Sequence, residues 1–205
     1  MIWNTIKGVI LDNWPILTIF LVTMCTMRFF YLKNHREKIC FYKEFLSILG
    51  IIYIFLLFQL LTKVELNSGG GYNLIPFTEI LRYEFGSKLF IYNVIGNICV
   101  FIPFGFIVAE YIKPKTIMAP LLISLIVSST VEFVQLNIGR SFDVDDILLN
   151  IIGCVGGYLI YIGLSAIRNH LPKAFQRDGL YNAICLLLIV LVLFYVLKMM
   201  GVLKV

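Results

Sequence analysis

Charge is scarce in this chain: Asp, Glu, Lys and Arg together make up 14% of it, against about 25% in a soluble domain. A surface solvated on all sides is therefore excluded. Histidine is scarcer still, with only His35 and His170. Both fall on the side opposite the acidic loop discussed below, so neither a histidine metal site nor a Ser/His/Asp triad has support. Cys25, Cys40, Cys99, Cys154 and Cys185 contain no C-x-x-C pair, and four of the five lie inside apolar runs; they read as free, packed thiols. The Gly69–Gly71 run is not followed by G-K-[ST], which excludes a phosphate-binding P-loop. The net charge of +5 comes from dispersed basic residues rather than a patch, which argues against nucleic acid as a partner. No internal repeat is visible. Asp12 and Trp14 precede the first apolar run and no A-x-A-like site follows it, so that run is expected to be retained rather than cleaved.

What the chain has in abundance is apolar length. Hydrophobic residues are 60% of the sequence and the mean hydropathy is +0.92. Several runs approach the roughly 20 residues needed to cross a hydrocarbon core about 30 Å thick, and they are continuous rather than alternating, which argues for helices and against a barrel. The expected fold class is all-α, a polytopic transmembrane helical bundle of about six spans: Trp14–Leu32, Phe45–Leu61, Leu89–Ile112, Thr116–Leu136, Ile147–Ile167 and Tyr181–Met200. The implied organisation is a first span with its basic loop over 1–44, a core of four spans over 45–167, and a basic loop with the last span over 168–205. Connections carrying Lys33, Arg36, Lys38, Lys43, Lys113, Lys115, Arg168, Lys173 and Arg177 share one side. Lys7, Lys63, Arg82, Lys88, Arg140, Lys198 and Lys204 are spread over the other. The positive-inside rule then puts both termini outside.

Polar residues inside the spans are costly unless paired, so their depth is informative. Ser124, Ser128, Glu132 and Gln135 share one helical face of the fourth span. Asp146, Asn150, Gly153 and Gly157 share one face of the fifth, and the Gly153/Gly157 spacing predicts close approach of another helix. Asn93 and Asn97 are an i,i+4 pair in the outer half of the third span, and Gln59 ends the second on the same side. With alternating topology these amides and carboxylates meet at one level, the outer leaflet. The long loop before the third span mixes Pro76, Phe77, Ile80, Leu81, Tyr83 and Phe85 with Glu79, Arg82 and Glu84, which suits an interfacial helix or re-entrant segment covering that level.

The stretch "SFDVDDILLN", Ser141–Asn150, concentrates acid at this level. One reading is helix capping, with Asp143 accepting from free backbone N–H groups and all three acids favouring a positive helix N-terminus. A second pairs Arg140 with Glu132 or Asp146 as structural glue. A third is a ligand-binding or catalytic site, favoured because glue seldom needs amides from further positions. Ser124 and Ser128 read as helix-contact residues, Gly153 and Gly157 as packing residues, and Tyr72, Tyr83, Tyr92 and Phe77 as an interfacial aromatic belt. Pro103 could kink the third span.

The stretches "NLIPF" (73–77), "NVIGNICVFIPFGF" (93–106), "STVEFVQ" (129–135) and "GRSFDVDDILLNIIGCVGGY" (139–158) together resemble the VanZ-like family of bacterial membrane proteins. The resemblance runs over about residues 45–165 and leaves the first and last spans outside it. It implies a multi-span protein associated with raised resistance to teicoplanin, a lipid-bearing glycopeptide antibiotic, with little protection against vancomycin. Carried over by motif are Asn97, Pro103, Glu132, Gln135, Arg140, Asp143, Asp146 and Asn150.

Three functions follow as expectations. The first, and preferred, is binding: Asn93, Asn97, Glu132, Gln135, Arg140, Asp143, Asp146 and Asn150 line an outward-facing site for a lipid-linked cell-wall precursor or the antibiotic, with Arg140 holding a phosphate or carboxylate. The second is a hydrolase or transferase with Glu132 and Asp146 as acid and base, or with carboxylates holding a divalent cation; no nucleophile is evident. The third is a transporter, a weak fit because alternating access places sites near the midplane. Membrane lipids are the expected surroundings, no cofactor is called for, and the oligomeric state is open.

Overall fold

The computed structural model of the protein describes residues 2–35, 40–61, 71–172, 175 and 177–199. Arg36, Lys38, Lys63, Lys173 and Lys204, used in the charge count, lie outside the described residues, as do Gly69 and Gly70 of the glycine run and Met200 at the end of the sixth expected span.

The described chain is helical almost throughout. Its helices are α1 (Ile2–His35), α2 (Phe41–Leu61), α3 (Thr78–Arg82), α4 (Lys88–Ile112), α5 (Met118–Asn137), α6 (Val144–His170) and α7 (Asp178–Met199). Among the described residues five stretches are long and apolar enough to cross a membrane: Asn13–His35 of α1, α2, α4, α5 and α6. The apolar stretch Asp178–Val190 of α7 is shorter. Each expected span overlaps a helix; α1, α2 and α6 start earlier than expected because terminal turns accept polar residues that a hydropathy reading trims, whereas α5 starts two residues later, at Met118. Thus α6 starts at Val144 rather than Ile147 and takes Asp145 and Asp146 into its first turn.

The helix ends follow local chemistry. Ser87 precedes α4 in an extended conformation, and its Oγ accepts from the Phe90 N–H at 3.1 Å. One turn on, Ile91–Ile95 form a π-helical turn before regular α-helix resumes at Gly96. At the far end Lys113 takes the left-handed conformation at φ 49°, and its N–H returns to the Ala109 carbonyl at 2.8 Å. Pro114 follows, where a continuing helix would need an N–H that proline lacks.

The chain divides into two compact units. One comprises the start of α1 to Trp14 together with Tyr53–Ser165. Its core is Leu57, Phe101, Phe104 and Cys154, flanked by Tyr53, Val100 and Val127, and the Tyr53 hydroxyl donates to the Val100 carbonyl. The expected glycine contact is there: a Cβ on Gly153 would run into the Ile98 carbonyl, and one on Gly157 into the Ile102 carbonyl, both on α4. Reciprocally, a Cβ on Gly105 of α4 would meet the Cys154 backbone. Small residues on both helices bring α4 and α6 to backbone contact.

The other unit comprises Pro15–Ile52 and Ala166–Val205. The Arg28 guanidinium grips the Glu44 carboxylate in two places, Nε at 2.7 Å and Nη2 at 2.9 Å. The Tyr42 backbone N–H donates to Asn182 Oδ1 at 2.9 Å, and its hydroxyl donates to Asp178 Oδ1 at 3.0 Å. These tie α2 to α7.

One expectation is corrected. Cys154 is buried, but Cys25 and Cys99 are exposed, so only part of the thiol set is packed. A span residue satisfies its apolar preference against lipid as well as against protein, so position in a span does not predict packing. The long loop, expected to be an interfacial helix or re-entrant segment, is described from Gly71 onward. Its described part holds a two-residue strand β1 (Tyr72–Asn73) and the five-residue α3. Strand β1 pairs in parallel with β2 (Phe142–Asp143), Tyr72 opposite Phe142 and Asn73 opposite Asp143.

Candidate functional site

The site is built on one face of each of three helices. On α5 the 3.6-residue repeat places Ser124, Ser128, Glu132 and Gln135 on the same stripe, and all four are buried. Asn150 of α6 is 2% exposed, and its Nδ2 donates to Ser128 Oγ at 2.8 Å. One turn earlier, Asp146 accepts from Asn97 Nδ2 of α4 at 2.6 Å. The two polar stripes and the amide pair of α4 therefore meet as their spacing requires.

The turn between α5 and α6 closes over this junction. Gly139 adopts φ 90°, a conformation open to glycine at little cost, and the Arg140 N–H returns to the Gln135 carbonyl at 3.0 Å. That reversal presents the Asp143 N–H to Glu132 Oε2 at 2.9 Å, so the buried glutamate, 1% exposed, has a backbone donor. Asp143 in turn accepts from the Asp145 N–H at 2.8 Å and from Asn73 Nδ2 at 2.9 Å. It is both the cap of α6 and the side-chain clasp of the β1–β2 pair. Burial raises the Asp143 carboxyl above its ordinary value, and those two hydrogen bonds oppose the rise.

Asp145 does something the sequence did not announce. It is 1% exposed. Its carboxylate points away from the α6 backbone and collects the N–H groups of Phe77 at 2.5 Å, Glu79 at 2.7 Å and Ile80 at 3.2 Å. These are the free donors at the start of α3, where Phe77 sits in the left-handed conformation at φ 69°. The capping expectation for Asp145 is thus right in chemistry but misplaced: it caps the loop helix, not its own.

Arg140 also departs from expectation. Among the described residues it forms no ion pair with Glu132 or Asp146 within 4.0 Å. Its Nη1 reaches the Leu61 carbonyl at 3.4 Å, an acceptor it shares with Gln135 Nε2 at 2.7 Å. The guanidinium and amide thus share the Leu61 carbonyl of α2, which competes with the expected charge pairing.

Between these elements lies a cavity of about 570 Å³. Asn93 and Asn97 from α4, Glu132 and Gln135 from α5, Arg140 and Asp143 from the turn, and Asp146 and Asn150 from α6 all line it. So do Asn73, Glu79, Arg82, Tyr83 and Asp145. Sequence reasoning had placed Tyr83 in an aromatic belt and Asp145 in a cap, and had not considered Asn73. Gln59 is not among the lining residues. Among the described residues no group of three His, Cys, Asp or Glu side chains is arranged to hold a metal ion.

The profile of the VanZ/LLP1 family matches residues 45–168, more than half of the chain, and the match takes in every residue lining the cavity. No curated protein and no solved structure is significantly similar to the chain.

Proposed function

Because the chain belongs to the VanZ/LLP1 family, we propose that this membrane protein contributes to teicoplanin resistance by binding, in the polar cavity, a lipid-linked envelope precursor or the antibiotic itself. Supporting this reading is one observation above the rest: eight polar residues from α4, α5, α6 and the α5–α6 turn converge on a single space instead of pairing off completely. A structural network would close on itself, because a buried polar group without a partner costs about 1–3 kcal/mol. In this reading the protein is multi-pass with both termini extracytoplasmic, and the cavity opens at the outer leaflet, where lipid-linked wall precursors are used.

Arg140 is the anchor for an anionic group, since its guanidinium presents five N–H donors and only one hydrogen bond, to the Leu61 carbonyl, is made within the described chain. Asn93, Asn97 and Gln135 supply neutral polar walls. The test is a set of single substitutions. Glu132→Ala, Arg140→Ala and Asp146→Ala are each expected to abolish the teicoplanin resistance conferred by the wild-type chain in a sensitive bacterium, at unchanged membrane abundance by immunoblot. Full resistance in all three would remove the cavity from the account.

A further inference from the structure

The hydrogen-bond accounting of the cavity is lopsided, and its imbalance names a ligand chemistry. Three of the amides that reach it each have one of two N–H donors engaged: Asn97 Nδ2 to Asp146, Asn150 Nδ2 to Ser128 and Gln135 Nε2 to the Leu61 carbonyl. The acceptors are less engaged. Asn150 is 98% buried, and its Oδ1 has no hydrogen-bond partner among the described residues. Among the described residues, the Glu132 and Asp146 carboxylates each accept a single hydrogen bond, from the Asp143 N–H and from Asn97. A carboxylate has room for about four. Charge leans the same way, with five carboxylates and two guanidiniums among the described residues of the lining, one of the latter, Arg82, already held by Glu79 at 3.2 Å. Among the described residues, Arg140 is the charged donor of the lining without a carboxylate within 4.0 Å.

A phosphate or carboxylate alone would leave these acceptors unsatisfied and add like charge beside them. A primary ammonium offers three donors and no acceptor, which is the complement of Asn150 Oδ1, Glu132 and Asp146. Building on the reading that the cavity binds an envelope lipid, we infer that its ligand carries a primary ammonium next to an anionic group. The head group of an aminophospholipid is such a zwitterion: its ammonium lies against Asn150, Glu132 and Asp146, and its phosphate against Arg140. A quaternary ammonium has no N–H to give and fits poorly. A polyol head group can donate, but leaves the negative charge uncompensated.

The purified full-length chain is titrated calorimetrically with short-chain phosphatidylethanolamine, phosphatidylcholine and phosphatidylglycerol, and with free phosphoethanolamine. Phosphatidylethanolamine is expected to bind at least about tenfold more tightly than the other two lipids, as loss of hydrogen bonds to charged groups implies. Binding of phosphoethanolamine would show that the head group suffices, and its failure that the acyl chains are needed; the ammonium assignment then rests on the comparison among the three lipids. Asn150→Leu should erase most of that preference. Asn150→Asp, which keeps the acceptor and adds charge, should preserve it, with thermal unfolding reporting that both variants fold. If phosphatidylglycerol or phosphatidylcholine binds as tightly as phosphatidylethanolamine, the ammonium assignment is wrong while the lipid-binding reading stands. If no lipid binds, the aminophospholipid assignment falls, and the proposed function is judged by the resistance of the Glu132, Arg140 and Asp146 variants.

Discussion

Asp145 shows how much one carboxylate can organise. Three backbone N–H groups from residues 68, 66 and 65 positions away in sequence converge on it, and its burial removes water as an alternative partner. Asp145→Ala would strand those donors at the start of α3. The expected cost is about 2–4 kcal/mol, below the sum of three separate charge-assisted hydrogen bonds because part of the segment can relax. Asp145→Asn, which retains one acceptor oxygen, should lose less. Thermal unfolding in detergent, with hydrogen exchange at Phe77–Ile80, measures both, and unchanged exchange in the Ala variant would mean the clasp contributes nothing. Sequence reasoning could see that Ser141–Asn150 begins a helix and that Asp143 could cap it. It could not see Asp145's role, because a carboxylate two residues past a cap has the same local signature whether it serves its own helix or one arriving from far away. Arg140 was misjudged for a related reason: charge complementarity pointed to Glu132 or Asp146, whereas the carbonyl of Leu61 lies in reach and is contacted.

At the scale of elements, periodicity carried most of the information. The i, i+4 and i+3 spacings of Ser124, Ser128, Glu132 and Gln135 admit one helical face, and a polar face in an apolar helix has to be covered by protein, which the buried side chains bear out. The Gly153/Gly157 pair was equally legible as a close-approach surface. Its counterpart Gly105 was not, since a lone glycine in an apolar run has no distinctive spacing. The contact gives a graded prediction. Gly157→Ala drives a methyl group into the Ile102 carbonyl and the Gly105–Phe106 backbone, which cannot rotate aside, so a loss of about 1–3 kcal/mol is expected. Gly156→Ala meets only Ile102 Cγ1 at 3.7 Å, ordinary contact, and should be neutral. Comparing the two by thermal unfolding separates helix packing from general glycine effects; equal midpoints would refute close α4–α6 packing. The β1–β2 pair lay beyond sequence reasoning altogether, because strand signals are read over about four to eight residues and this pair has two on each side.

For the whole molecule, hydropathy and charge scarcity fix a helical membrane protein, and family membership over residues 45–168 agrees with the stretch in which the cavity residues fall. The convergence on the cavity was legible because alternating spans assign each polar residue a side before any contact is known. What the residues do once assembled was less so. Whether carboxylates meet a guanidinium, an amide or open space depends on sub-ångström placement of turns such as Gly139–Arg140, and composition does not encode it. The central claim is that this space is a ligand site rather than an interlocked polar core. The measurement that addresses it most directly is an electron cryomicroscopy structure of the chain in nanodiscs of native lipid. The account predicts density not belonging to the protein between Glu132, Arg140 and Asp146, with Arg140 turned toward it. A cavity holding water alone, with Arg140 closed onto Glu132 or Asp146 as an ion pair, would contradict it.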